Sequence, residues 1–511
     1  MDLNKLSKEQ LIDHISTLEE QLDWYQQQIK LLQKNMYGKK SEKTDLPEQL
    51  SLFDEVEIEQ TPIKVEPELE EITYKRKKKK GKREQDLSLF PVERIVYDVE
   101  EKTCNLCHAP LRKVSENIRK ELVYIPASYK VIEHVQYVYT CDACNEEKAN
   151  FVKGKAPIAL LPKSFLSASV ASTIIYNKFC LSLPLYRQEM DYKRTNLLIT
   201  RQTMSNWLVK LYDYYLKDVQ AYMHRCLLQM EYIGADETTV QVLREQGIAA
   251  STKSYMWAYK SGRSEEKQLV LFHYEPTRGH DCAKKHLEGY HQIVQSDGYQ
   301  AYDKLEDVTQ AGCMAHARRK FIEVLDSAPK GTDISDSFSN QIVILMNQLF
   351  HIEKETKDMS YLEITSLRQT KAKPIFYEMM ERIHEANQGK IVNKKLQQAI
   401  TYCVNQESKL RTYLDDGRIE LSNNSLERAI RPFTIGRKNW MFSTSPHGAR
   451  ASSCYYSIVE SAKLNKLNPQ AYLEYILNIL PNIDLHDEKD LENIMPWATE
   501  LPENIKITEK S

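Results

Sequence analysis

The run Met230-Glu-Tyr-Ile-Gly-Ala-Asp-Glu-Thr-Thr-Val-Gln-Val242 reads as a strand whose apolar start, Met230 to Ile233, leads to an acid, Asp236. Two more strands are predicted after it, Tyr255 to Lys260 and Gln268 to Tyr274. A helix around Gly279 to Leu287 then enters the strand His291 to Gln295, which ends on a second acid, Asp297, in Gln-Ser-Asp-Gly-Tyr. A short strand reaches Cys313, and a helix is predicted from Ala315 to Leu325. Three strands in succession, then helix and strand in alternation, indicate a mixed α/β sheet.

A third acid, Glu427, lies in a helix-start setting, with Ser422, Asn423 and Asn424 as capping residues before Leu426, Ala429 and Ile430. Residues 335 to 415 before it are helical and charged without strand signals, and read as an insertion. Taken singly, each acid has a plain explanation: the chain holds 72 acidic residues, and Asp-Gly is an ordinary turn dipeptide. As a set they suggest more. Carboxylates from two neighbouring strands and a packed helix supply hard oxygen ligands that suit magnesium or manganese. Glu427 is also followed by a basic and aromatic stretch, Arg428, Arg431, Arg437, Lys438, Trp440 and Phe442.

At 511 residues the chain is too long for one core, and 41% hydrophobic residues suffice for globular folding. The net charge of −2 hides segregation: residues 54 to 71 are acidic, and residues 75 to 83 are almost wholly basic. Such a run is a solvated tail or a holder of phosphates. The absence of an eighteen-residue apolar run and of a hydrophobic N-terminal signal core predicts a cytoplasmic protein without a membrane partner.

Leu11, Ile15, Leu18, Leu22, Tyr25, Ile29, Leu32 and Met36 alternate in steps of four and three, which predicts a coiled coil and self-association. The N-terminal module therefore spans 1–43 and a charged flexible linker 44–95. Within 96–150, Cys104-Asn-Leu-Cys107 and Cys141-Asp-Ala-Cys144 supply four thiolates, the closed tetrahedral set of a structural zinc site. Cys180, Cys226, Cys282, Cys313, Cys403 and Cys454 are scattered and read as packing residues. Residues 155–225 look helical; Thr200 is positioned to cap a helix whose outer face offers Arg201, Gln202, Thr203, Ser205 and Asn206. A helix-turn-helix and an ordinary helical subdomain account equally for that pattern.

In order along the chain stand Met36-Tyr-Gly-Lys-Lys-Ser-Glu-Lys, the two Cys-x-x-Cys pairs, Leu183-Pro-Leu-Tyr-Arg-Gln-Glu, Ala235-Asp-Glu-Thr, Ser296-Asp-Gly-Tyr and Ala315-His-Ala-Arg-Arg-Lys-Phe. They continue with Asn423-Asn-Ser-Leu-Glu-Arg-Ala-Ile-Arg-Pro, Gly436-Arg-Lys-Asn-Trp and Ser461-Ala-Lys-Leu-Asn-Lys-Leu-Asn-Pro-Gln-Ala-Tyr-Leu. Through these strings the chain resembles the large transposase of the insertion sequence 66 family, a group of bacterial DDE transposases. The resemblance implies a multidomain α/β chain. Its ribonuclease H-like catalytic core (226–445, with a helical insertion at about 335–415) would follow the coiled coil and the zinc-binding domain. A C-terminal helical domain (446–485) would follow; the tail (486–511) lies outside the resemblance and reads as disordered.

The resemblance also implies that Asp236, Asp297 and Glu427 form the acidic triad, and two Mg2+ or Mn2+ ions are the cofactors expected on these carboxylates. The expected partners are the terminal inverted repeats, target DNA, further copies of the chain, and small accessory proteins of the same element. His316, Arg318 and Arg319 read either as a phosphate grip or as a basic surface face; Arg431 reads as orienting Glu427 or as binding DNA, with Arg428, Arg437 and Lys438 beside it. Glu237 is expected on the opposite strand face from Asp236. Two other classes stay open on the residues alone. A non-catalytic zinc-containing DNA-binding regulator needs no triad, and a nuclease would cut without joining strands.

Overall fold

The protein is described by a computed structural model covering residue 94 and residues 128–140, 151–153, 155–263, 265–329 and 333–507. The expected coiled coil, the linker apart from residue 94, and the cysteines Cys104, Cys107, Cys141 and Cys144 lie outside these residues. Val138–Thr140 (β1) and Phe151–Lys153 (β2) pair antiparallel, and the second cysteine pair falls between them in sequence.

The central sheet has five strands in the order β5-β4-β3-β6-β7. They are β3 (Tyr232–Gln241), β4 (Lys253–Ser261), β5 (Val270–Glu275), β6 (Ile293–Gln295) and β7 (Thr309–Ala311). β4 and β5 are antiparallel, whereas β3 with β6 and β6 with β7 are parallel. The expected mixed sheet is therefore present. The chain divides into two compact units, with the division inside β3 between Thr238 and Thr239.

One unit gathers Glu231–Thr238 and Gly279–Ile435. Here β6 is reached through the helix His280–His286 and left through Gln300–Asp303, the crossovers that parallel strands demand. The helix Met314–Asp326 follows β7 and packs against the insertion, which consists of the helices Phe338–Lys354, Tyr361–Leu367, Lys373–Gln388 and Lys394–Arg411. Their inner faces share one apolar core: Ile342, Met346, Leu349, Phe376, Met379, Ile383, Ile400 and Cys403 surround Phe321. Arg368 is wholly buried there, with Nε and Nη2 each donating to Glu353 at 2.7 Å and Nη1 to the carbonyls of Tyr413 and Asp416.

The other unit holds the helices Ala168–Phe179, Leu185–Arg194, Arg201–Leu211 and Lys217–Leu227, the strands β4 and β5, and the C-terminal helices Pro446–Leu464, Pro469–Ile479 and Glu488–Ile494. β5 is an edge strand, and the helix Pro446–Leu464 covers it. Ser457 and Ser461, one turn apart, accept from the backbone N–H of Phe272 at 2.8 Å and of Val270 at 2.9 Å. Unpaired ladder groups of an edge are thus satisfied by side chains instead of another strand. Thr200 caps its helix as expected, accepting from Thr203 N–H; Arg201, Gln202 and Asn206 are exposed, and Thr203 and Ser205 half-buried.

The expectation of a disordered tail is corrected. Glu488–Ile494 is a helix capped by Asp487, and Leu491, Ile494, Met495, Leu501 and Ile505 are buried. The Tyr472 hydroxyl donates to the Ile494 carbonyl at 2.8 Å. The scattered cysteines are free, with Cys226, Cys313, Cys403 and Cys454 buried as packing residues.

Candidate active site

The register of β3 on β6 sets Gly234 opposite Gln295. Asp236 and Asp297 each lie two residues beyond that pair, so alternation places both on the face of Gly234 and Gln295. β3 runs on to Gln241, which puts Asp236 inside the strand instead of at its end. The pairing with β6 does end near it, leaving the acid at the fork between the two strands. Asp297 enters the turn after β6, where its Oδ1 accepts from Tyr299 N–H at 2.9 Å and Gly298 takes φ +87°. The insertion braces this turn: Tyr402 donates to the Asp297 carbonyl at 2.8 Å, and a Cβ at position 298 would come within 3.0 Å of Gln406.

Glu427 stands in the first turn of the helix Asn424–Trp440 and is only 2% exposed. Asn423 opens that helix, its carbonyl accepting from Leu426 and Glu427 at 3.1 Å. Its side chain does not cap. Instead Nδ2 donates to the Ala235 carbonyl at 3.2 Å, and the Asn423 N–H reaches Cys313 Sγ at 3.3 Å. A Cβ on Gly234 would lie 2.8 Å from Asn423 Oδ1, so glycine is what allows the helix to seat against the strand beside Asp236. Buried Gln295 adds a second tie, donating to the carbonyls of Gly312 (2.9 Å) and Glu420 (2.6 Å).

The carboxylate of Glu427 faces two basic side chains from the helix Met314–Asp326. His316 Nε2 is 3.4 Å from Oε1, and Arg319 Nη2 is 3.6 Å from Oε2. Burial pushes Glu427 up to about 7 against the opposing pull of Arg319. Burial, reinforced by Arg319, pushes His316 down to about 4. Asp236 is raised well above the usual carboxylate range by burial first, then by Glu237, Asp297 and Glu427. The three acids therefore share one electrostatic neighbourhood.

Among the described residues, no three His, Cys, Asp or Glu side chains close on a single point as an ion-holding cluster. The donor chemistry suits a hard divalent cation nonetheless. Carboxylates that raise one another's cost of ionisation are what such a cation compensates.

The remaining candidates separate. Arg318 is engaged with Asn347, its Nε donating at 2.7 Å, and Arg437 donates to Thr239 Oγ1 at 3.0 Å. Arg428 and Lys438 are exposed, and Arg431 is half-buried. Trp440 is half-buried, with the Lys178 ammonium 5.5 Å from its ring centre. Glu237 accepts from the Tyr302 hydroxyl at 2.9 Å, and its charge bears on Asp236. The sequence reading did not assign the roles of Gly234, Gln295, Tyr302 and Tyr402. Only Gly234 carried a signal, a glycine inside a strand pattern that marks close backbone approach.

Comparison with known proteins bears on the whole chain. The family model described as Transposase IS66 family matches residues 163–451. The zinc-finger binding domain of transposase IS66 matches 101–145, which includes Cys104, Cys107, Cys141 and Cys144, and the IS66 C-terminal element matches 457–497. A model described as transposase C of IS166 homeodomain matches 24–95. Among curated relatives, protein y4qI of Sinorhizobium fredii (strain NBRC 101917 / NGR234), described as uncharacterized, is 30% identical over 92% of this chain and 87% of its own. Protein y4hP of the same organism, likewise uncharacterized, is 28% identical over 79% of this chain and 74% of its own. The solved Drosophila P element transposase strand transfer complex matches 63% of this chain and 94% of that chain at 14% identity, with a TM-score of 0.24, too low to assign the core by likeness. No described helix is long and apolar enough to cross a membrane. With its central region, zinc-finger segment and C-terminal element all matched in order, the chain belongs to the IS66 family of transposases.

Proposed function

We propose that the chain cuts DNA at the ends of an insertion sequence and joins those ends to target DNA, with Asp236, Asp297 and Glu427 as the catalytic acids. The observation that carries this reading is their shared electrostatic neighbourhood, built from one strand, one turn and one helix far apart in sequence. The sheet supports a ribonuclease H-like core, since three consecutive strands are followed by two parallel ones reached through helices. Mg2+ or Mn2+ bound by these carboxylates would supply activation of the attacking oxygen and neutralisation of the phosphate.

The chain's own residues do the rest. Asn423 and Gly234 set the helix of Glu427 on β3, and Arg319 draws on its carboxylate with His316 beside it. Tyr402 and Gln406 fix the Asp297 turn. In cleavage, a water oxygen forms a bond to phosphorus and the 3′ oxygen departs with a proton as a hydroxyl. In joining, that hydroxyl attacks a target phosphate and displaces another 3′ oxygen. Exposed Arg428 and Lys438 would hold DNA phosphates, as would the outer face of the helix Arg201–Leu211. Cys104, Cys107, Cys141 and Cys144 would hold structural zinc.

The test is incubation with Mg2+ and DNA carrying the inverted repeats that flank the reading frame. Nicked ends and joined products are expected from the native chain. Asp236→Asn, Asp297→Asn and Glu427→Gln should each lose cleavage by at least about a hundredfold while keeping end binding. Cleavage without joining from a pre-nicked end favours a nuclease, and binding without cleavage favours a regulator.

A further inference from the structure

We propose that Met441 and Phe442 form a wedge that enters double-stranded DNA and unstacks a base step. The inference deepens the transposase reading above and rests on its DNA substrate. It starts from a strained turn. Met441 directly follows the helix Asn424–Trp440 and has φ +65°, the left-handed region that disfavours any side chain. Its N–H donates to the Arg437 carbonyl at 2.7 Å, and Phe442 N–H folds back to the Trp440 carbonyl at 2.8 Å, closing a three-residue turn about Met441. Such a turn suits glycine or asparagine, and here it carries a long apolar side chain.

Both ends of the turn are fixed. On one side is the helix. On the other, Ser443 N–H donates to the Gln241 carbonyl at 2.9 Å, Leu243 N–H to the Ser443 carbonyl at 3.0 Å, and Arg244 N–H to the Thr444 carbonyl at 3.1 Å. The two residues between these anchors are pushed outward: Met441 is 68% exposed and Phe442 43%. Among the described residues, neither side chain belongs to the buried core. Strain retained where packing does not require it points to function.

Charge selects the occupant. From Arg428 to Val459 the sequence holds no acid, while Arg428, Arg431, Arg437, Lys438 and Arg450 are basic. Lys438 and Arg244, flanking the tip, are both exposed. An apolar pair rimmed by cations fits a polyanion with an apolar interior, which is stacked DNA. Apolar side chains inserted at a base step unstack it while basic neighbours hold the phosphates.

The test compares the full chain with a Met441→Asn, Phe442→Ser double variant. Asparagine accepts the left-handed turn, so the variant should melt no lower than the native chain. Two labelled duplexes of the same sequence serve as probes, one fully matched and one with a short mismatched bubble whose unstacking is already done. The native chain should bind the bubble about tenfold more tightly, because the wedge need not open it. The variant should keep its affinity for the matched duplex and lose that preference. With 2-aminopurine in the matched duplex, native protein should raise the fluorescence at one step and the variant should not. A bubble preference or fluorescence rise that survives in the variant overturns the wedge, as does equal native binding to both duplexes. Failure of the native chain to bind either duplex overturns the transposase reading along with it. A variant that binds DNA as before but loses self-association assigns the tip to a second copy and also overturns the proposal.

Discussion

Glu427 carries the most informative side chain in the molecule. Its carboxyl, ordinarily near 4.5, is pushed up to about 7 by burial. A raised carboxyl lends stability that is full below its unfolded value and is lost as pH rises through the folded value. Without divalent metal, native protein should therefore lose about 3 kcal/mol relative to Glu427→Gln between about pH 4.5 and pH 7, read from paired denaturant titrations. Groups distant from Glu427 cancel in that comparison, while Asp236, which feels its charge, adds to the difference. Added Mg2+ should restore native stability at high pH and stabilise the variant less, since it keeps Asp236 and Asp297 but lacks the third carboxylate.

Gly234 gives a second prediction at the residue scale. Gly234→Ala drives a methyl against Asn423 Oδ1, and overpacking of that kind costs about 1–3 kcal/mol. Cleavage should fall further than stability, because the helix carrying Glu427 must shift. A variant that melts lower yet cuts normally would separate the seat from the site.

Among the elements, the strands were legible because apolar, β-branched and aromatic residues run together between turn residues; β3, expected from Met230 to Val242, spans Tyr232–Gln241. Which acids to choose was legible mainly through the family strings, since alternation alone marks a face and not a partner. The hold on Glu427 was not legible: His316 and Arg319 look like any basic helix face until burial places them against the carboxylate. The folded tail was hidden by composition. Asp484, Asp487, Glu488, Asp490 and Glu492 surround the few apolar residues that the fold buries.

The insertion offers a sharp elemental test. Arg368→Ala removes a wholly buried guanidinium and leaves Glu353, 15% exposed, without its partner; it should cost about 3 kcal/mol, the low end for a buried pair. A double Arg368→Met, Glu353→Leu change should recover most of that, measured as urea midpoints. On β5, joint Ser457→Ala and Ser461→Ala strands two N–H groups and should cost about 1–3 kcal/mol for each.

At the scale of the whole molecule, the matched zinc-finger segment and the four cysteines predict one zinc per chain, released on thiol modification and counted with a chromophoric chelator. Four Cys→Ser changes should abolish the release. The central claim is that a strand, a turn and a helix deliver three acids to one metal centre. Diffraction from crystals grown with Mn2+, read at the manganese absorption edge, measures it directly. Anomalous peaks are expected about 2.1 Å from carboxylate oxygens of Asp236, Asp297 and Glu427, absent in Glu427→Gln at the position that residue holds. Manganese bound by Glu237 in place of Glu427, or no peak near Asp236 at saturating Mn2+, would contradict it.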